Sequence, residues 1–585
     1  PKAMHYLPLF LSLLLGLVLA TSGRAQVTQR KDRPQVRPDP ALRGEAFRQP
    51  PNFRRSPLGV PHYGPARQAS TKVAGPRSSD CEVQVRDFAE SLGKEVGTSP
   101  WHMVSAARYP SPTTATIWGA TLTDAYRFLV DGDRFEALDR FPLNYFPSSI
   151  TWNLFSTDDG RVVVPDASGY RIAGQPRRST DPSWLVLKDG NGAPDQSKIE
   201  LVDLLEFTPR ELRQLLRPPV GSRFGRSIAA GGSVPTYTGE IATTVSYLQD
   251  EERLTYLVVV DLDEMELIAG GLIGKGLKSN EIAAEPFGEH GTAMYVPLDE
   301  SVVKVVYNGR TRQVTRHWEA KLPVRRRTGT TPTLVNTSDG RKFVCVIDSK
   351  CAVASVVNGL ISCSEDERPS QLVAVERDAP AGRRPRILTT ELPDWLRTVE
   401  NSPAAYGDRI VVANYSGYLP NGLYVPPGGH IENEDNLAAW MVSPDARVDF
   451  ARGIVALRYD IRKRDFVIDW ADEGHQVSCI PTISAGANMV YGVGAEEDNG
   501  DYWLYGFRLK NESPHRKGSL ALRVKLGKAP FRMARNDAAG NLIFPRDDYQ
   551  LKAGEVFDAG NQIILLNDGS LIISGGRSLV RVQER

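Results

Sequence analysis

Beyond Trp101 the chain alternates short runs rich in Val, Ile, Leu, Tyr and Thr with Gly, Asp and Asn at close intervals. That is the pattern of short strands joined by tight turns. The stretch TTPTLVNTSDGRKFVCVIDSKC (330–351) reads as strand, Asp-Gly turn and a very apolar second strand. TTATIWGATLTD (113–124), ITWNLFSTDDGRVVVPDASGYRI (150–172), TYLVVVDLDEMELIAGGLIG (255–274), AAYGDRIVVANYSGY (404–418) and NQIILLNDGSLIISGGRSLVRVQ (561–583) repeat the same grammar. Helical periodicity is confined to PRELRQLLRP (209–218) and DCEVQVRDFAESLGKEV (80–96). A parallel sheet would need a crossover helix after nearly every strand, so the pattern predicts an antiparallel, all-β protein.

The units recur loosely every 45 to 75 residues, and two closing strands, RTRQVTRHWEAKL (310–322) and IRKRDFVIDWADEG (461–474), place Trp318 and Trp470 at matching points. A small sheet with two apolar faces is not stable alone. Copies therefore stack face to face, and stacking around an axis closes the array. The expectation is a β-propeller of seven or eight blades over residues 81–585, closed where the segment 531–585 meets the strands after Trp101.

The N-terminal part reads differently. LPLFLSLLLGLVLA (Leu7 to Ala20), with Met4 as the expected first residue and Gly23 and Ala25 ahead of a cleavage point, has the form of a signal peptide over residues 1–25. No later run reaches 18 apolar residues, so no transmembrane span is expected after cleavage, and the protein is expected to be secreted or periplasmic. Residues 26–80 hold nine prolines and a net charge near +7. That composition predicts a disordered basic linker. Over the whole chain 71 basic residues balance 70 acidic ones, which gives no field to attract nucleic acid.

GTTPTLV…VIDS, NSPAAYGDRIVVANYSGY, GIVALRYD…DW and SCIPTISAG…VYG, together with the polar turns before each hydrophobic run and Trp, resemble the exported quinoprotein-like (PQQ-type) β-propellers, and within them an uncharacterised bacterial subgroup. The likeness covers roughly residues 280–585. Pyrroloquinoline-quinone dehydrogenases of that group use a vicinal cysteine pair beside the cofactor, a calcium ion and a catalytic aspartate. This chain has no adjacent cysteines, so a quinone is not expected; calcium stays open.

The five cysteines are Cys81, Cys345, Cys351, Cys363 and Cys479. Five and eleven residues separate Cys345, Cys351 and Cys363, which does not match zinc-ligand spacing. In an exported chain a Cys351–Cys363 disulfide across the hairpin CAVASVVNGLISC is favoured, with Cys345–Cys351 and Cys345–Cys479 as rivals and Cys81 free. The histidines are scattered singly and suggest no metal site. The carboxylates of GAEEDNGDYW (494–503) invite a calcium reading, but Asn-Gly there signals a hairpin.

A propeller binds ligands at its axis, through polar residues at the inner strands and their loops. By register these are Thr331, Thr333, Asp348, Asn401, Asn414, Tyr418, His430 and Thr482. No catalytic residue can be named from them. The expected function is a binding or scaffolding module for an envelope or extracellular protein or glycan. The alternative is an enzyme with its site in the axial funnel, a quinoprotein-type oxidoreductase or a calcium-dependent hydrolase or lyase.

Overall fold

A computed structural model describes residues 50–51, 64–92, 103–104, 107–111, 113–120, 124–142, 154–157, 159–166, 183–189, 198–217, 229–249, 252–276, 281–323, 330–355, 360–363, 368–396, 399, 402–414, 453–475, 477, 479–495, 501–510, 520–528, 535–536, 542–543, 562–574 and 578–585. Eight antiparallel sheets, each built on four consecutive positions from inside to outside, form an eight-bladed β-propeller. In chain order the innermost strands of blades 1 to 8 are Met103–Val104, Phe155–Ser156, Ala229–Pro235, Ala283–Phe287, Thr333–Asn336, Ala404–Tyr406, Thr482–Ser484 and Ile563–Leu565. From blade 3 to blade 8 each innermost strand lies against the next, and the outermost strands meet likewise in several seams.

The strands are apolar on both faces because each face meets a neighbouring blade. In Lys342–Asp348, the second strand of blade 5, Phe343, Cys345 and Ile347 pack toward blade 6, whereas Val344 and Val346 pack toward blade 4. Ile410 and Val412 of blade 6 face blade 5, and Val411 and Ala413 face blade 7. Apolar clusters of this kind fill every seam around the ring, including the one between blade 8 and blade 1. At about 25 cal/mol per Å² of apolar surface removed from water, this seam burial is the main stabilising term, and no blade supplies it alone.

Ring closure uses a strand that the sequence reading assigned to a helix. Residues Cys81–Asp87 pair antiparallel with Ser578–Glu584 and form the outermost strand of blade 8; only Phe88–Leu92 is helical. N-terminal and C-terminal segments thus share one sheet, and Phe88 packs with Tyr126, Phe128, Ile572 and Leu579 across the last seam. The buried Arg581 adds a polar tie, donating to Gly132 O of blade 1 and to Asp568 Oδ2 at 2.6 Å. The other predicted helix, Pro209–Leu216, is present, capped by Thr208, whose side chain accepts the Glu211 N–H at 3.2 Å.

Trp318 and Trp470 occupy equivalent places. Each lies on the outermost strand opposite Lys304 or Ala456, immediately after a bulge that leaves one extra residue, His317 or Asp469, on that strand. The Asp-Gly turns recur as well. Thr157 N–H bonds Arg161 O in blade 2, Thr337 N–H bonds Arg341 O in blade 5, and Leu566 N–H bonds Ser570 O in blade 8, at 2.8 to 2.9 Å. Residues 494–503 include the facing ends of the strands Met489–Ala495 and Asp501–Arg508, the hairpin that Asn-Gly signalled. No helix among the described residues is long and apolar enough to cross a membrane.

Candidate functional site

The axial end of the ring where the innermost strands begin is lined by the chain itself. Residues 64–80, which composition placed in the linker, are built into the propeller. In blades 4 to 7 the second residue of the innermost strand donates its backbone N–H to this arm. Ala284 bonds Pro65 O at 2.7 Å, Leu334 bonds Ala66 O at 2.9 Å, Ala405 bonds Gln68 O at 2.7 Å and Ile483 bonds Ala69 O at 2.9 Å. Edge strands always leave such groups unpaired; here the arm pairs them blade by blade. The Gln68 side chain adds a bond to Leu334 O at 3.0 Å.

The arm bends to follow this curve through two residues in the left-handed region, Arg67 (φ 54°) and Ala69 (φ 48°). Non-glycine residues seldom adopt that region, and they hold it only where surrounding contacts over-determine it. Ser70–Thr71 then runs parallel to Thr482–Ser484, and Ala485 N–H bonds Thr71 O at 2.9 Å. The chain thus travels along blade 7 from the start of its innermost strand to its end before reaching Cys81–Asp87 at the rim. Glycines make room for the exit. A Cβ on Gly486 would stand 2.5 Å from Lys72 O, and one on Gly75 would stand 2.5 Å from the Tyr491 hydroxyl. Tyr491 itself donates to Pro76 O at 2.7 Å, and burial holds its phenol far above the ordinary tyrosine range.

Arg67 is the charged anchor of the arm. Its guanidinium is buried at the seam of blades 3 and 4, where Nε donates to Ile282 O at 2.7 Å, Nη2 donates to Ser233 O, and Glu281 Oε2 lies 3.9 Å from Nη2. Both side chains of the pair are fully shielded from solvent. Glu281 Oε2 also accepts the Ser233 N–H at 2.8 Å.

The sequence-derived candidates fall into three groups. Thr333 and Thr482 are the first residues of the innermost strands of blades 5 and 7, and both are fully buried. The Thr333 hydroxyl lies 3.1 Å from Arg67 O and 2.8 Å from Pro403 O and donates to one of them; Thr482 donates to Ile563 O of blade 8 at 3.1 Å. These hydroxyls join blade to arm and blade to blade. Thr331, Asp348 and Asn414 are buried in blades 5 and 6, with Asn414 Nδ2 bonded to Trp395 O at 3.0 Å. Asn401, Tyr418 and His430 lie outside the described residues. The structure therefore brings Thr333 to the arm and Thr482 to blade 8. Arg67, Gln68, Glu281 and Ser233 add polar contacts between arm and ring, and none was singled out from the sequence.

The backbone of the predicted cysteine hairpin is present, with Cys351 directly opposite Cys363 in the pair Cys351–Ser355 and Leu360–Cys363. The side chains of this hairpin lie outside the described ones. Cys345 and Cys479 are buried thiols outside any disulfide, so neither rival pairing forms, and Cys81 forms no disulfide among the described residues.

A second polar cluster sits in the seam of blades 4 and 5. Arg377, fully buried, pairs with Glu285 and Asn336; Tyr295 donates to Glu285, and Lys304 donates to Arg377 O at 2.8 Å. Burial lowers the Lys304 and His317 values and raises that of Tyr295. Perturbed groups often mark active sites, but these tie one blade to the next.

The sequence matches no family model and no curated protein. Among solved structures the chain is similar to the periplasmic gluconolactonase PpgL of Pseudomonas aeruginosa, at 12% identity over 69% of this chain and 93% of that one, TM-score 0.35. It is similar also to Sqt1 of Saccharomyces cerevisiae, at 9% identity over 87% and 99%, TM-score 0.41, and to a putative 6-phosphogluconolactonase of Bacteroides fragilis, at 8% identity over 72% and 96%, TM-score 0.32. At such overlap these likenesses carry no argument about activity, and the propeller rests on the strand pairing described above.

Proposed function

We propose that this chain is an exported binding or scaffolding module whose propeller offers its faces and rim to an envelope or extracellular protein or glycan. One observation supports this reading above the funnel-enzyme alternative: the axial strand edges of four successive blades are already satisfied by residues 65–69 of the same chain. The hydroxyls of Thr333 and Thr482, which a funnel ligand would need, serve the fold. Propellers host unrelated functions, so the reading stands on this site and not on the architecture.

The test is composition and ligand binding together. Purified protein is analysed for calcium by emission spectrometry and for quinone by absorbance, and titrated calorimetrically with aldonolactones. The module reading expects substoichiometric calcium, no quinone band and no lactone heat. Stoichiometric calcium bound with a lactone, or a quinone band, would replace it with the enzyme alternative.

A further inference from the structure

We propose that the inner edges of blades 3 to 7 form a recognition site for an arginine-bearing peptide in a bent conformation, filled in cis by Gly64 to Thr71. The site is independent of the scaffold reading, since it would exist in a propeller enzyme as well. Three observations define it.

The first is a row of backbone donors. The N–H groups of Ala284, Leu334, Ala405 and Ile483 come from four different blades, and they meet four carbonyls within five consecutive residues, 65 to 69. Such bonds read the course of the main chain without regard to its side chains, here a course bent by the Arg67 N–H to Gly64 O turn and by the left-handed Arg67 and Ala69.

The second is a guanidinium pocket. Ile282 O, Ser233 O and the Glu281 carboxylate surround the Arg67 head group. Two carbonyls and one buried carboxylate suit a planar fork of N–H donors, whereas a lysine ammonium, a single charged point, cannot reach the same acceptors in one geometry. The carboxylate is itself oriented by the Ser233 N–H, so the pocket belongs to blades 3 and 4 and not to the arm.

The third is steric. The residue before Arg67 is Ala66, buried in the seam of blades 4 and 5, and the next inward contact is Ala69, buried with blades 6 and 7. Small side chains flanking arginine are therefore part of the ligand's definition: Pro-Ala-Arg-Gln-Ala in this chain.

Arg77, Ser78 and Ser79 are exposed, so a protease site inserted after Arg77 in the full chain allows the arm to be nicked from the ring. The nicked protein is passed over a sizing column at micromolar concentration, then challenged with the synthetic peptide spanning residues 64–75 and with its Arg67→Ala counterpart. The proposal expects the arm to remain with the ring and the arginine peptide to displace it at least tenfold more effectively. Loss of the arm on nicking, or less than a tenfold difference between peptides, would overturn it. A second measurement covers a nicked ring that does not survive. In the unnicked Arg67→Ala protein, tens of millimolar ethylguanidinium should slow tryptic cleavage at Lys72 at least fivefold relative to equal ethylammonium; equal rates in the two salts would overturn the proposal.

Discussion

Replacing Arg67 by alanine removes one member of a fully buried ion pair and leaves the other in place. Glu281 would keep its Ser233 N–H but lose the Arg67 guanidinium 3.9 Å away, and Ile282 O and Ser233 O would each lose a donor. Breaking a buried pair from one side costs about 3–5 kcal/mol, and this geometry falls within that range because both partners are shielded. The strand pairing within each blade does not involve Arg67, so the loss is opening of the arm and not collapse of the ring. An eight-bladed chain is too large for one two-state transition, so the assay reads the arm itself. When closing is faster than cutting, tryptic cleavage at the exposed Lys72 follows the open population. A loss of about 4 kcal/mol raises that population roughly a thousandfold, up to the limit at which the arm is fully open. Arg77→Ala is the control: an exposed arginine on the same arm with one bond to Gly486 O at 2.7 Å, expected to change the rate by less than about threefold. If Arg67→Ala cleaved at less than about three times the wild-type rate, a difference near 0.6 kcal/mol, the arm would not be anchored as described. The double variant Arg67→Met/Glu281→Leu should recover most of the loss, since an apolar pair of similar volume carries no stranded charge.

Further outcomes concern acid, thiols and the cysteine hairpin. Burial would raise the Asp568 carboxyl, but the Ser570 hydroxyl and N–H and the Arg581 guanidinium outweigh it and hold the value below the ordinary one; Asp159 and Asp339 are held down similarly through Thr157 and Thr337. A depressed folded value gives stability that is full above the unfolded value, about 4, and is lost as pH falls through the folded one. Thermal melts should therefore show Asp568→Asn less stable than wild type at neutral pH but with a shallower decline below about pH 4; parallel curves would contradict this. Burial raises the Cys345 thiol and pushes Cys479 up to about 12, so both should ignore Ellman's reagent in the native protein and react on denaturation. Non-reducing peptide mapping of protein recovered from an oxidising compartment should link Cys351 to Cys363, the directly opposed pair; a link from either to Cys81 would refute that pairing.

Much of the ring was legible because each blade writes the same constraint into the chain. A strand buried on both faces must be apolar at consecutive positions, as in KFVCVID, and a strand at the rim alternates, as in QVTRHWEAK with Trp318 turned inward. The equivalence of Trp318 and Trp470 followed from the sequence alone, and the shared bulge explains it. CEVQVRD was misread as helical because it is an outermost strand: Val83 and Val85 alternate with polar residues, and the Phe88–Leu92 turn directly after it supplied the helical texture. The axial candidates include two residues whose place in the blades was legible. Thr333 and Thr482 do begin innermost strands, but pattern cannot tell a hydroxyl that awaits a ligand from one that bonds the next blade. The arm left no trace in the hydrophobic pattern. Main-chain bonds hold it, and Gly, Pro, Ala and Ser suit a linker as well as a segment that must pass close to the inner edges of blades 3 to 7. Only Arg67 gives it chemical identity, and an arginine in a basic tract is the last residue that composition marks as buried.

Hydrogen exchange followed by mass spectrometry tests the central claim most directly, because the arm and the edges it covers are peptides of known position. The account predicts that the axial amides of Ala284, Leu334, Ala405 and Ile483, which the arm's carbonyls cover, and the Arg67 amide, which bonds Gly64 O at 2.9 Å, stay protected for hours in the native protein and exchange faster together in the Arg67→Ala variant. Exchange of those four axial amides within seconds in the wild type, at the rate of an unfolded chain, would contradict it.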